Sequence, residues 1–133
     1  MQKQIYLVIF SLLLVLDCLA QRTISVLYFE NTKEDPEYQW LHKGLADMLI
    51  TDLAGTPGIH IVEREALEKI LNEQALSLSG LMEDHPAIEV GKLLQAEILL
   101  YGAYIIHGDE IRIDLRIAEV ISGQIIHGFS GSL

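Results

Sequence analysis

Apolar and polar residues follow different rhythms along this chain, and each rhythm predicts a different element. Residues 23–29 (TISVLYF) form an almost unbroken apolar run, rich in β-formers and ended by Glu30 and Asn31. Such a run predicts a buried strand. Residues 31–36 have the polar composition of a turn. From Glu37 the period lengthens, and Leu41, Leu45, Met48, Leu49 and Leu53 fall on one helical face with Ile50 alongside. Gly55, Pro57 and Gly58 end that helix. Residues 59–62 predict a short strand. Glu63 then opens a second helix, with Leu67, Ile70, Leu71 and Gln74 on one face. Its first-turn acids suit the positive end of the helix dipole.

Residues 77–83 read as a linker around Gly80, followed by a short third helix with Asp84 or His85 at its cap and Pro86 near its first position. Residues 97–106 are bulky and apolar and predict a central strand. Gly108 and Asp109 turn the chain. Ile111, Ile113, Leu115 and Ile117 then alternate with Arg112, Asp114, Arg116 and Ala118, the period of a strand with one dry and one wet face. Ser122 and Gly123 turn again into a last strand over residues 124–129. The order β-α-β-α-α-β-β-β predicts an α/β (α+β) fold: a single mixed sheet, helices mainly on one face, and a C-terminal antiparallel meander. No fourth helix follows to cover the remaining surface, so part of the sheet or its edge is expected to await a partner.

The first twenty residues obey another logic. Lys3 precedes an apolar run over residues 5–16, and Cys18 and Ala20 place small side chains before the polar Gln21 and Arg22. This is the layout of a secretory signal cleaved between Ala20 and Gln21. Twelve helical residues span only about 18 Å, short of the ~30 Å hydrocarbon core, which disfavours a permanent span. Cys18 is also a candidate for lipidation, which would anchor the chain, although Asp17 is a poor lipobox residue before it. The division is therefore a signal over residues 1–20 and a periplasmic domain over 21–133. With Cys18 the single cysteine, that domain has no disulfide framework.

The formal net charge is −10. An acidic domain repels nucleic acid and anionic lipid. No metal-ligand spacing joins His42, His60, His85, His107 and His127, and no nucleophile elbow or phosphate loop is present. The residues therefore point to no catalytic group, metal or cofactor. Tyr38 and Trp40 at the start of the first helix are read as a cap on the core. Arg112, Asp114 and Arg116 form a charged stripe, read as cross-strand pairing or as a contact with a neighbouring subunit.

Five segments carry a resemblance: VLYFEN (26–31), KGLADMLITDL (43–53), IVEREALEKILNEQ (61–74), VGKLLQAEILLYGAY (90–104) and IRIDLRIAEVISGQII (111–126). In this order they resemble the CsgG family, the curli production assembly and transport component, with its relatives FlgO and the amino-terminal domain of TolB-like proteins. The resemblance implies a non-enzymatic periplasmic domain associated with the outer membrane. It would act by association with itself or with envelope proteins in the assembly or secretion of a surface structure. In CsgG itself such domains form a ring whose inserted hairpins build a barrel. Here the hairpin over residues 97–120 is needed for the sheet, and Arg112, Asp114 and Arg116 lie on the face lipid would meet, so no independent transmembrane pore is expected. The alternative is a TolB- or FlgO-like small-ligand sensor, or an exported hydrolase. Its pocket would lie near Glu30, Asn31 and Glu63, at the carboxyl ends of the first two strands.

Overall fold

A computed structural model describes residues 21–73 and 84–133. The expected signal, with Cys18 and Ala20, and the expected linker over residues 77–83 lie outside the described residues; Gln21 lies exposed just before the first strand. The elements are β1 (Arg22–Val26), β2 (Glu30–Asn31), a 3-10 turn (Pro36–Tyr38), α1 (Leu41–Leu53), β3 (Ile59–Ile61), α2 (Arg64–Glu73), α3 (Asp84–Leu93), β4 (Ile98–His107), β5 (Glu110–Glu119) and β6 (Gln124–Ser132). They build one open mixed sheet in the order β3-β1-β4-β5-β6, with β2 also paired to β4. β3, β1 and β4 run parallel; β4, β5 and β6 form the expected antiparallel meander.

The expected first strand is interrupted. β1 aligns Val26 with Leu100, whereas β2 aligns Glu30 with Ala103. The first strand therefore holds one residue more than β4 between these points, a bulge. Two contacts impose it. The Phe29 amide donates to the His42 carbonyl at the start of α1, 3.0 Å away. Its ring lies against Gly102 of β4, where an added Cβ would come within 2.7 Å of Phe29 Cε1 and 2.3 Å of the Asp114 carbonyl oxygen.

The first helix also begins later than its periodicity suggests. The Asp35 carboxylate accepts from the Glu37 amide and caps the 3-10 turn, so α1 starts only at Leu41. Asn31 braces this loop, donating from Nδ2 to the Asp35 carbonyl at 2.9 Å and to Gln39 Oε1 at 3.3 Å.

Pairing register assigns the two faces of the sheet. Leu100, Gly102 and Tyr104 of β4 share a face with Ile113, Leu115 and Ile117 of β5; Leu99 and Tyr101 share the other with Arg116 and Ala118. The Tyr104 hydroxyl donates to the Tyr38 carbonyl at 2.7 Å, which places the approach to α1 over the first face. The Tyr101 hydroxyl donates to Asp84 Oδ1, also at 2.7 Å, which places α3 over the second. At Gly91 a Cβ would lie 2.9 Å from Val120 Cγ2, so α3 sits close against the sheet. The expected weighting of helices toward one face is thereby refined: α1 lies on the face opposite α3.

Candidate docking surface

The surface that the meander leaves open begins with the width of α1. Its inward residues, Ala46 with Leu45, Leu49, Ile50 and Leu53, pack on the core, but the helix lies over β1, β2 and β3 and stops short of β6. Between α1 and the outer strands runs an apolar groove of about 290 Å³, lined by Phe29, Leu49 and Met48 on one side and Leu115, Phe129 and Leu133 on the other. Met48 is 63% exposed, Phe129 61% and Leu133 85%. Asp52 is an acidic residue in the lining. Phe129 does not stand upright on its strand. Its ring folds over Gly131, where a Cβ would meet Phe129 Cζ at 2.7 Å. Large apolar side chains exposed side by side in this way mark interaction surfaces in soluble domains.

Tyr38 packs against the core as the expected cap, while Trp40 remains on the surface, 66% exposed. Its ring lies 3.6 Å from where a Gly44 Cβ would be. Trp40, Gly44 and Met48, spaced by four residues, extend the apolar flank along α1.

The Arg112, Asp114 and Arg116 stripe occupies the other face of β5. Arg112 Nη2 lies 3.3 Å from Asp114 Oδ1, and Arg116 Nη1 lies 2.7 Å from Asp84 Oδ1 at the start of α3. A hydrogen bond from Ser130 of β6 and the neighbouring arginines hold the Asp114 carboxyl below the usual carboxylate range. The stripe thus ties β5 both to α3 and to β6. Burial, reinforced by the Asp84 bond, pushes Tyr101 up to about 12.

The crevice at the carboxyl ends of β1 and β3, where open α/β sheets bind ligands, holds a cluster that sequence reading missed. Tyr28 donates to Glu68 Oε1 at 2.7 Å, and Lys43 reaches the same oxygen at 3.1 Å. Lys43 and Arg64 flank the Tyr28 ring at 5.2 and 5.4 Å from its centre, Arg64 pairs with Asp47, and His42 meets the ring edge-on. Burial and the Glu68 bond raise the Tyr28 pKa, while the bonds from Tyr28 and Lys43 lower that of Glu68. Of the residues expected around a pocket here, Asn31 is buried in the loop brace described above, Glu30 pairs in β2 and Glu63 stands exposed before α2. Among the described residues no group of three or more His, Cys, Asp or Glu is placed to hold a metal ion. No described helix is long and apolar enough to cross a membrane.

The family model for the curli production assembly/transport component CsgG matches residues 9–107, well over half of the sequence. The chain belongs to the CsgG family. The match ends on the last residue of β4. Solved structures agree with this fold. The C-terminal domain of LpoB from Salmonella enterica superposes with a TM-score of 0.67 at 18% identity, covering 86% of this chain and 83% of that one. Lipoprotein GNA1162 from Neisseria meningitidis gives 0.69 at 15% identity, covering 84% and 78%. A PelC dodecamer from Paraburkholderia phytofirmans gives 0.53 at 14%, covering 86% and 73%. No curated protein matches the chain.

Proposed function

We propose that this member of the CsgG family is a non-catalytic envelope component that acts by protein–protein association, with itself and with envelope proteins, in the assembly or secretion of a surface structure. The groove between α1 and β6 carries the reading: a folded acidic domain leaves Met48, Phe129 and Leu133 in water beside one another. The family description supports a role in assembly and transport. The lipoprotein GNA1162 and the dodecameric PelC support envelope attachment and self-association for a chain of this fold. The leader over residues 1–20 supports export to the periplasm, with outer-membrane attachment if Cys18 is acylated.

Fractionated cells test the proposal. The expected product is recovered outside the cytosol, with a mass that reports cleavage before Gln21 or a lipid on Cys18. Crosslinking in the envelope should capture protein partners, and Met48→Asp should lose them. Unprocessed chain in the cytosol, or a mature chain that crosslinks to nothing, contradicts the proposal. The sensor or hydrolase alternative predicts a rise in melting temperature with a nucleotide, sugar or metal; none is expected.

A further inference from the structure

We propose that the mature chain closes its own N-terminus: the α-amine of Gln21 attacks the side-chain amide carbonyl of the same residue and forms a pyroglutamyl lactam ring. This rests on the export reading above, in which cleavage between Ala20 and Gln21 makes Gln21 the first residue, and it adds a modification to that reading. The step balances within one residue. The bond from the α-nitrogen to Cδ forms, the bond from Cδ to Nε2 breaks, and a proton of the amine leaves with Nε2 as ammonia. No oxidant, reductant or second substrate enters. The attacking nitrogen has only to be unprotonated.

The fold leaves Gln21 free to react while it holds the residues that follow. β1 begins at Arg22, whose amide donates to the Gly58 carbonyl at 2.8 Å and which stands opposite Ile59 in the ladder with β3. On the other side, the Thr23 amide donates to Glu97 Oε2 and the Glu97 amide donates to the Thr23 carbonyl, both at 2.9 Å. Gln21 lies exposed beyond the last of these bonds. Among the described residues, none is hydrogen-bonded to its side chain. A glutamine held by the protein would have to break its bonds before its carbonyl could meet the amine. This one has only water to shed.

The closed ring suits the strand. It holds the φ of residue 21 much as proline does and leaves the residue's own carbonyl untouched. The ladders of β1 start at Arg22 with β3 and at Ile24 with β4, so closure removes no bond from either.

The product differs from the open chain in two ways. It lacks the α-ammonium, so an already acidic chain carries one positive charge fewer. It also offers no free amine to an aminopeptidase. β1 lies between β3 and β4 in the sheet, and one residue separates the terminus from its first rung. Trimming would reach Arg22 and its bond to Gly58 after a single cut, and the ring closes that route.

Intact mass tests the proposal on protein expressed with its leader, recovered from fractionated cells and incubated at neutral pH. The expected mass lies about 17 Da below that of open residues 21–133, the loss of one ammonia. Pyroglutamyl aminopeptidase acting on the denatured chain should then expose Arg22 as the first residue. Gln21→Ala cannot close and should keep its full mass. A mature chain that still begins with an open Gln21 overturns the inference. An ammonia loss that persists in Q21A does the same, because it arises at another side chain. A lipid on Cys18, or cleavage at another bond, also overturns it and leaves the envelope function standing. Unprocessed chain in the cytosol overturns both.

Discussion

Strands β4 and β6 have nearly the same length, ten and nine residues, and lie two places apart in one sheet. β4 is buried along most of its length, with Leu99, Tyr101 and Tyr104 almost wholly out of water. It is paired on both sides, packed against α3 on one face and met by Phe29 and Tyr38 on the other. β6 is paired on one side only and exposed through residues 124–130. β4 holds the molecule together, while the apolar area of β6 contributes little until something covers it. The same division separates their glycines. Gly102 is hemmed in by Phe29 and the Asp114 carbonyl, whereas at Gly128 the nearest atom to an added Cβ is 3.9 Å away.

The sharpest way to break this contrast is at those glycines. Gly102→Val should cost more than about 3 kcal/mol and abolish cooperative unfolding, because one of its obstacles is backbone. Gly128→Ala should stay within about 0.5 kcal/mol in a denaturant titration. If the two shifts are similar, the proposed division between the strands is wrong.

Alkali should act on the packed half next. Tyr101 is raised from 10.0 to about 12, and burial raises Tyr104 in the same direction. A raised pKa means that the folded chain holds a proton the unfolded chain gives up. The stabilisation is complete below pH 10 and is lost as the pH climbs through about 12. For Tyr101 alone the loss is on the order of 2 kcal/mol. Thermal melts between pH 9 and about 12 should fall steeply, and Tyr101→Phe should flatten the fall. At neutral pH the same substitution removes the bond to Asp84 and should cost about 1–2 kcal/mol.

The smallest effect on stability is expected on the open side. Phe129→Ala should lower stability by less than about 1 kcal/mol, since its ring is already largely in water, yet weaken association measured by light scattering. A large loss of stability would place Phe129 in the core and remove the contrast.

Much of this fold was legible in the residues, and the exceptions share a cause. The period-two alternation over Ile111–Ile117 and the helical spacing over Leu41–Leu53 identified β5 and α1, because each pattern records burial of a single element. The break after Val26 left no local mark: it comes from the Phe29 ring meeting Gly102, a contact between distant segments. The sequence reading also ended β6 at Phe129, since Ser-Gly-Ser has the composition of a loop; pairing with residues 112–114 carries the strand on to Ser132. The charged stripe was visible by alternation, but its link through Arg116 to Asp84 was not. Nor was the groove, which depends on which strand α1 leaves uncovered. The residues of that groove could be named only once the strand order was known.

Amide hydrogen exchange along β4 and β6 tests the central claim most directly. The account requires Phe129, Gly131 and Leu133, whose amides face β5, to be protected. Gly128, Ser130 and Ser132, whose amides face outward in dilute solution, should exchange freely, while amides all along β4 are protected. Outward amides of β6 as well protected as those of β4 in dilute solution would contradict it.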